Sequence, residues 1–318
     1  MGLLVEGIWH RDEKGITLRQ ETQIRNWITA DGSPGPTGDG NFPAEAGRYH
    51  LYLSLACPFS HRALVMRALK SLEDSVSISV THPVKREDGW HFAPHPKMTP
   101  DPIFQADTLY QVFATAYPGY SGRCAVPLLL DKKTSRIVSG NSGEILRMFA
   151  SAFAGTSSAE SYRPPELADE VDALNRAIGE KVNAGVYRVG FARDQESYES
   201  AVADLFAYLE ELESRLEGKT YLLGERQTES DWFLFPTLLR FDAVYHGLFK
   251  CNLKRIADFP NLSRLLRTLY AQPGVAGTVD MDYIKEHYYR SLINAAQGPL
   301  ELNPTGIIPA GPRLEFLE

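Results

Sequence analysis

The sequence predicts an α/β domain followed by an all-helical domain. Three observations carry that prediction. Strand-like and helix-like segments follow one another as βαβ and then ββα between residues 48 and 150. A small, polar stretch with two prolines, "AGTSSAESYRPP" (154 to 165), then interrupts the pattern. Every patterned segment beyond it has helical spacing. With 318 residues the chain has room for two domains of ordinary size. Its 43% hydrophobic and 23% charged content is that of a globular rather than a disordered chain.

Residues 1 to about 45 read as an irregular lead-in, because "TADGSPGPTGDGNFPAEAG" (29 to 47) is dense in Gly, Pro and Asp. "RYHLYLSL" (48 to 55) is a short run of apolar and β-forming residues, hence a strand. "PFSHRALVMRALKSLE" (58 to 73) places Phe59, Ala63, Met66, Leu69 and Leu72 at helical spacing, and Pro58 suits the first helical position. "VSISV" (76 to 80) completes a βαβ unit. A long Pro-rich insertion (82 to 120) follows. "AVPLLLD" (125 to 131) and "RIVSG" (136 to 140) are strands whose short "KKTS" join favours an antiparallel hairpin. "NSGEILRMFA" (141 to 150) is a helix capped by Asn141 or Ser142. This order is that of a thioredoxin-like domain. Beyond the break, helices are expected over 165–183, 194–216, 229–247, 260–271 and 280–295. Thr228 followed by Asp231 would cap the third of these.

Charge and composition exclude several functions. A formal net charge of -7 with no basic run argues against nucleic-acid binding, which needs clustered Lys and Arg. "MGLLVEGIWHRDEKG" is not expected to be a signal peptide, and position 6 is Glu rather than the Ser or Thr of a myristoylation motif. No apolar run approaches the ~20 residues that cross a bilayer. Three cysteines, Cys57, Cys124 and Cys251, without paired spacing point to a reducing compartment and no disulfides. No metal is expected: His91 and His95 are four apart, but Pro94 and Pro96 argue against a helix there.

The stretch "SLACPFSHRA" (54 to 63) sets Cys57 where a strand hands over to a helix. At that point the unpaired N–H groups of the first turn and the helix dipole favour negative charge on sulfur. His61 and Arg62, in the same turn, can add positive potential. The plain alternative is an inert buried cysteine; the strand–Cys–Pro–helix order favours a reactive one. Position 60 is Ser, so there is no Cys-x-x-Cys partner and an external thiol must resolve any mixed disulfide at Cys57. Cys124 and Cys251 read as structural. Val126-Pro127 opens a strand and invites a cis bond that would present the Val126 backbone to a peptide-like ligand. Asn141 and Ser142, at a helix start, can hold a carboxylate or simply cap the helix.

These segments together resemble one family. "RNWITADGSPGPTG", "RYHLYLSLACPFSHRALVMR", "GWHF", "YSGRCAVPLLLDKKTSRIVS", "NAGVYRVGFA", "YLLGERQTESDWFLFPTLLRFDAVYHGLFKCNL", "IKEHYYRSL" and "NPTGIIPAGP" are similar, over nearly the whole chain, to the glutathionyl-hydroquinone reductases, the Xi class of glutathione transferases. The resemblance implies an α/β thioredoxin-like N-terminal domain followed by an all-α glutathione-transferase C-terminal domain. The expected division is an N-terminal extension (1–45), a thiol-binding domain (46–153), a substrate domain (160–295) and a tail (296–318). It implies a cytoplasmic homodimer that uses glutathione as co-substrate and an aromatic thioether as substrate, with no nucleic-acid or membrane partner. Cys57 falls on the catalytic cysteine. Trp90, Arg123, Val126, Asn141 and Ser142 fall on glutathione contacts, and Tyr187 and Tyr288 on catalytic tyrosines. Tyr245 falls on a substrate-binding tyrosine.

The sequence departs from the family pattern in three places. Phe59 and Ser60 stand in Cys-Pro-Phe-Ser where Cys-Pro-Trp-Ala is usual, and Ser60 can hydrogen-bond the sulfur. In "SGNSGE" (139 to 144), Asn141 replaces a glutamate that would pair with the γ-glutamyl amino group. Either a neighbouring carboxylate such as Glu144 compensates, or another low-molecular-weight thiol is preferred. Two further alternatives are an Omega-like thioltransferase or dehydroascorbate reductase, and a non-catalytic module on the same fold.

Overall fold

The computed structural model describes residues 2–11, 23–153, 161–291 and 302–312, together with Leu314 and Leu317. Near the N-terminus, β1 (Leu3–Val5) and β2 (Ile8–His10) form an antiparallel hairpin where an irregular lead-in is expected. Its two-residue turn, Glu6-Gly7, has positive φ at both positions (50° and 80°), the geometry that matches strand twist in tight hairpins. Exchanged bonds between Leu4 and Gly122 dock it onto the body.

The main sheet has the order β4-β3-β5-β6. Its central strand β3 (Tyr49–Leu53) runs parallel to β4 (Val76–Val80) and antiparallel to β5 (Leu128–Asp131). β5 pairs antiparallel with β6 (Arg136–Ser139), as the short join predicts. β3 is buried throughout, and its side chains alternate between two cores. Tyr49, Leu51 and Leu53 face the core shared with α1 (Pro58–Leu69), α3 (Ser142–Ser151) and the helical half. Tyr52 faces a second core with Leu128, Leu130 and Ile137. That second face is covered by α2 (Leu109–Ala116), a helix within the stretch expected as an insertion. Leu109, Val112 and Phe113 form its buried stripe, and Gln111 Oε1 accepts from the Asp107 and Thr108 amides.

The helical half consists of α4 (Ala168–Ala177), α5 (Gly185–Gly190), α6 (Gln195–Arg215), α7 (Glu229–Arg240), α8 (Pro260–Tyr270) and α9 (Met281–Arg290). The helix expected over 165–183 widens to a π turn at Ile178–Asn183 and restarts as α5. α7 likewise widens at Phe241–Tyr245, so the two wide turns lead to Tyr187 and Tyr245. α7 is buried almost all round, as a helix through the middle of a core must be. Asp231 holds its start, accepting from the Leu222 and Thr228 amides (2.9 and 2.7 Å) and from Thr228 Oγ1. Burial pushes the Asp231 carboxyl up to about 6 against those bonds. From the tail, Lys285 Nζ on α9 draws in the carbonyls of Ala310, Gly311 and Pro312. The expected break (154 to 165) and the end of the last expected helix lie partly outside the described residues.

Candidate active site

Cys57 ends the β3–α1 turn and caps α1 with extended backbone (φ -72°, ψ 118°). Ser60 N donates to Sγ at 3.4 Å, and the thiol reaches Val126 O at 3.5 Å. The sulfur is thus half-buried between the head of a helix and the strand-opening Val126-Pro127 bond, which is cis. The Ser60 backbone, not its hydroxyl, serves the sulfur; Ser60 Oγ is buried with no partner. The other two thiols, Cys124 and Cys251, are pushed well up by burial, as unreactive sulfur requires.

The two basic residues of the first turn divide. His61 is enclosed and held neutral, its titration pushed far down by burial and by the Arg240 charge. It bonds Thr278 Oγ1 (2.8 Å) on one side and receives Arg240 Nη1 (3.1 Å) on the other. Arg62 is the cation that feels the sulfur. Burial lowers its guanidinium to about 10, and only the Cys57 charge opposes that. It donates to Ser142 Oγ (3.4 Å) and to Asn183 Oδ1, and lies 4.1 Å over the Phe233 ring. No carboxylate among the described residues pairs with it. Arg62 therefore spans from the thiol to the head of α3.

At that head, Asn141 Oδ1 accepts from the Gly143 and Glu144 amides (3.0 and 3.1 Å). Glu144 is occupied: its carboxylate takes Arg25 Nε (2.6 Å) and Ser139 Oγ (3.0 Å). Asn141 and the exposed Arg123 line one cleft of about 320 Å³ with Gly140 and Arg25. Trp90 lies under α9, stacked on His287 at 5.1 Å with Lys85 Nζ 5.1 Å from its ring.

The three tyrosines meet through their hydroxyls. Tyr187 and Tyr288 are 2.7 Å apart, and Tyr245 is 3.0 Å from Tyr288. Tyr187 is the half-buried end of this chain; Tyr245, 0% exposed, is the inner end. Burial pushes all three phenols well above their ordinary range. The Cys57 charge pushes Tyr187 further, which places that phenol within the electrostatic reach of the thiol. His287 joins the two groups, stacking on Trp90 and meeting Tyr288 edge-on at 5.1 Å. Its Nδ1 donates to Pro83 O (2.7 Å) and lies 2.9 Å from Ser291 Oγ, and burial lowers it to about 4, so it is neutral. The sulfur's charge is thus felt by Arg62, which reaches the head of α3, and by the outer phenol of the tyrosine chain.

Sequence reasoning missed Arg240, His287 and Asn183. Arg240 left a signal: it is the one charged residue after Asp231 within the apolar run "DWFLFPTLLRF". His287 and Asn183 left none, because their contacts depend on how the helices cross. Among the described residues no group of three or more His, Cys, Asp or Glu side chains is arranged to hold a metal.

The chain is similar in sequence and fold to known proteins. Residues 56–152 match the family described as "Glutathione S-transferase, N-terminal domain", and 195–268 match "Glutathione S-transferase, C-terminal domain". The chain is 48% identical to "Glutathionyl-hydroquinone reductase YqjG" of Escherichia coli, over 98% of this chain and 95% of that one. The glutathione-bound structure of YqjG superposes with a TM-score of 0.91 at 47% identity, covering 100% of this chain and 97% of the other. "Glutathionyl-hydroquinone reductase PcpF" of Sphingobium chlorophenolicum is 45% identical over 98% and 96%. A Xi-class transferase from Natrialba magadii superposes with a TM-score of 0.90 at 42% identity, over 99% and 95%.

Proposed function

We propose, on the premise that this chain belongs to the glutathione S-transferase family and within it to the Xi-class glutathionyl-hydroquinone reductases, that Cys57 reduces S-glutathionyl-hydroquinones at the expense of glutathione. The Cys57 thiolate attacks the glutathionyl sulfur of the thioether. The sulfur–aryl bond breaks, its electron pair stays on the ring carbon, and that carbon takes a proton from Tyr187. The products are the hydroquinone and a Cys57–glutathione disulfide. A second glutathione, as thiolate, attacks that disulfide and leaves as oxidised glutathione, regenerating Cys57. Its proton restores Tyr187, so two glutathionyl sulfurs are oxidised together while one ring carbon is reduced.

The observation that carries this reading is the sulfur at the head of α1, with Ser60 N at 3.4 Å and its charge felt at both Arg62 and Tyr187. Tyr187 is assigned the proton because it is the accessible end of the phenol chain. Tyr288 stands behind it as donor to the developing phenolate. Tyr245 supports Tyr288 rather than touching substrate, since it is fully enclosed. Val126, Asn141 and Ser142 hold the thiol's peptide backbone and carboxylate, with Trp90 and Arg123 at its flanks. In this division residues 46–153 bind the thiol and 160–295 the aromatic ring. We assign the protein to the cytoplasm as a homodimer, which size-exclusion chromatography with light scattering would check.

The deciding experiment is Cys57→Ser. Reductase kcat/KM should fall by about 10³-fold or more, as when a nucleophile is removed. Wild-type protein exposed to the thioether alone should gain one glutathionyl group, located on Cys57 by mass spectrometry. Substantial activity in Cys57→Ser, or an adduct elsewhere, would refute the reading.

A further inference from the structure

Arg240 is 0% exposed, at the end of α7 in the helical half, and no carboxylate among the described residues pairs with it. Its donors go instead to the turn that carries Cys57. Nε meets Ala56 O and Nη2 meets Leu55 O, both at 2.8 Å. Nη1 bonds His61 Nδ1 at 3.1 Å and Pro236 O at 2.9 Å. The fork therefore grips the two residues before the cysteine and a residue of the helical turn after it. The rest of this turn is tied as well. Cys57 N donates to Ser54 O (3.1 Å), Ala56 N to Ser54 Oγ (3.3 Å), and Ser54 Oγ meets Tyr283 OH of α9 (3.2 Å).

A buried guanidinium held only by neutral acceptors has no counter-charge beside it in a medium that screens little. The positive field also reaches further. Arg240 opposes the rise of the Tyr245 and Tyr288 phenols, and it adds to the burial that keeps His61 and His287 neutral. The other groups that face the sulfur are Arg62 from α1, Tyr187 from α5 and Tyr283 from α9. His61 carries no charge, and no carboxylate is among them.

We infer that Arg240 is a positioning residue for the reaction: its fork fixes the Leu55–Cys57 turn across the boundary between the two halves, and its unneutralised charge favours Cys57 as the reacting anion. The inference rests on the reading of Cys57 as the nucleophile. Its test is chosen to need no hydroquinone: the rate of iodoacetamide labelling at Cys57 at pH 7, followed by mass spectrometry, in wild type, Arg240→Met and Arg240→Lys.

Arg240→Met removes charge and fork, and labelling should slow by about 10-fold or more, with kcat falling and KM for the thioether within about 2-fold. Arg240→Lys keeps the charge but can hold one carbonyl, and labelling should slow by about 3-fold or more, less than in the Met variant. Both are measured well below their melting temperatures. A merely structural Arg240 would lower the melting temperature and leave the labelling rate alone. A folded Met variant that labels at the wild-type rate overturns the inference. If the Met variant does not fold, the Lys variant decides: wild-type labelling overturns it as well. Inactivity of wild type toward quinone thioethers with the labelling pattern intact would count against the proposed reaction and not against Arg240.

Discussion

Tyr187 and Asn141 give the residue-scale tests. Replacing Tyr187 by Phe removes one hydroxyl from a 2.7 Å bond and leaves the ring packed. kcat should drop about 10²-fold, the range for loss of a general acid, with the melting temperature little changed; an unaltered kcat moves the proton to another group. Asn141→Glu restores the acidic residue that the resemblance leads one to expect. The new carboxylate should lower KM for glutathione about 10-fold, the worth of one charge-assisted bond, and do nothing for an analogue lacking the γ-glutamyl amino group. The exchange gives up the Asn141 cap on Gly143 and Glu144, at about 1 kcal/mol of stability. Steady-state kinetics with both thiols check it. Glu144 cannot take that role while Arg25 and Ser139 hold it. The strand-to-helix turn at Cys57 was legible because strand, proline and helix declare themselves locally. The partners of its turn were not, since Arg240 and Tyr283 arrive from more than 180 positions away.

Elements whose signals are local were readable in the sequence, and those defined by a far neighbour were not. β3, α1, β4, β5, β6 and α3 fall where periodicity puts them. α2 and the β1–β2 hairpin were hidden among prolines and turn residues. Each had a short-range sign, Gln111 three residues after Thr108 and the Glu6-Gly7 turn, too brief to weigh against its surroundings. The wide turns at Ile178–Asn183 and Phe241–Tyr245 have no sequence mark, because an extra residue per turn is decided by packing. The Thr228–Asp231 cap was read correctly, and its strength can be measured. Asp231→Ala strands the Leu222 and Thr228 amides in a fully buried place. Chemical denaturation should show a loss of about 2–4 kcal/mol; a loss under 0.5 would mean that water or a shifted side chain replaces the carboxylate.

Acid should unfold the molecule through its histidines before its ion pairs. His50, His91 and His287 are each lowered by burial to about 4, and His61 further still. In the unfolded chain each takes a proton near pH 6.5. Between there and about pH 4 the unfolded state binds more protons, so stability falls as pH falls, and above pH 7 these groups have no effect. Asp231, raised to about 6, works in the opposite sense over the lower part of that window, as do Glu229 and Asp242. With about 3 kcal/mol at stake for an enclosed imidazole such as His287, the histidines prevail. Melting temperature should be level from pH 8 to 7 and drop by ~10 °C or more by pH 4.5; a level curve to pH 4.5 would show that these rings are solvated. One contact ties the tail to α9. The Lys285 ammonium is sealed beneath the carbonyls of residues 310 to 312. Drawing that bolt takes three carbonyl acceptors away from a buried ammonium. Shortening the tail would therefore loosen α9, the wall on which Tyr288 and His287 are mounted.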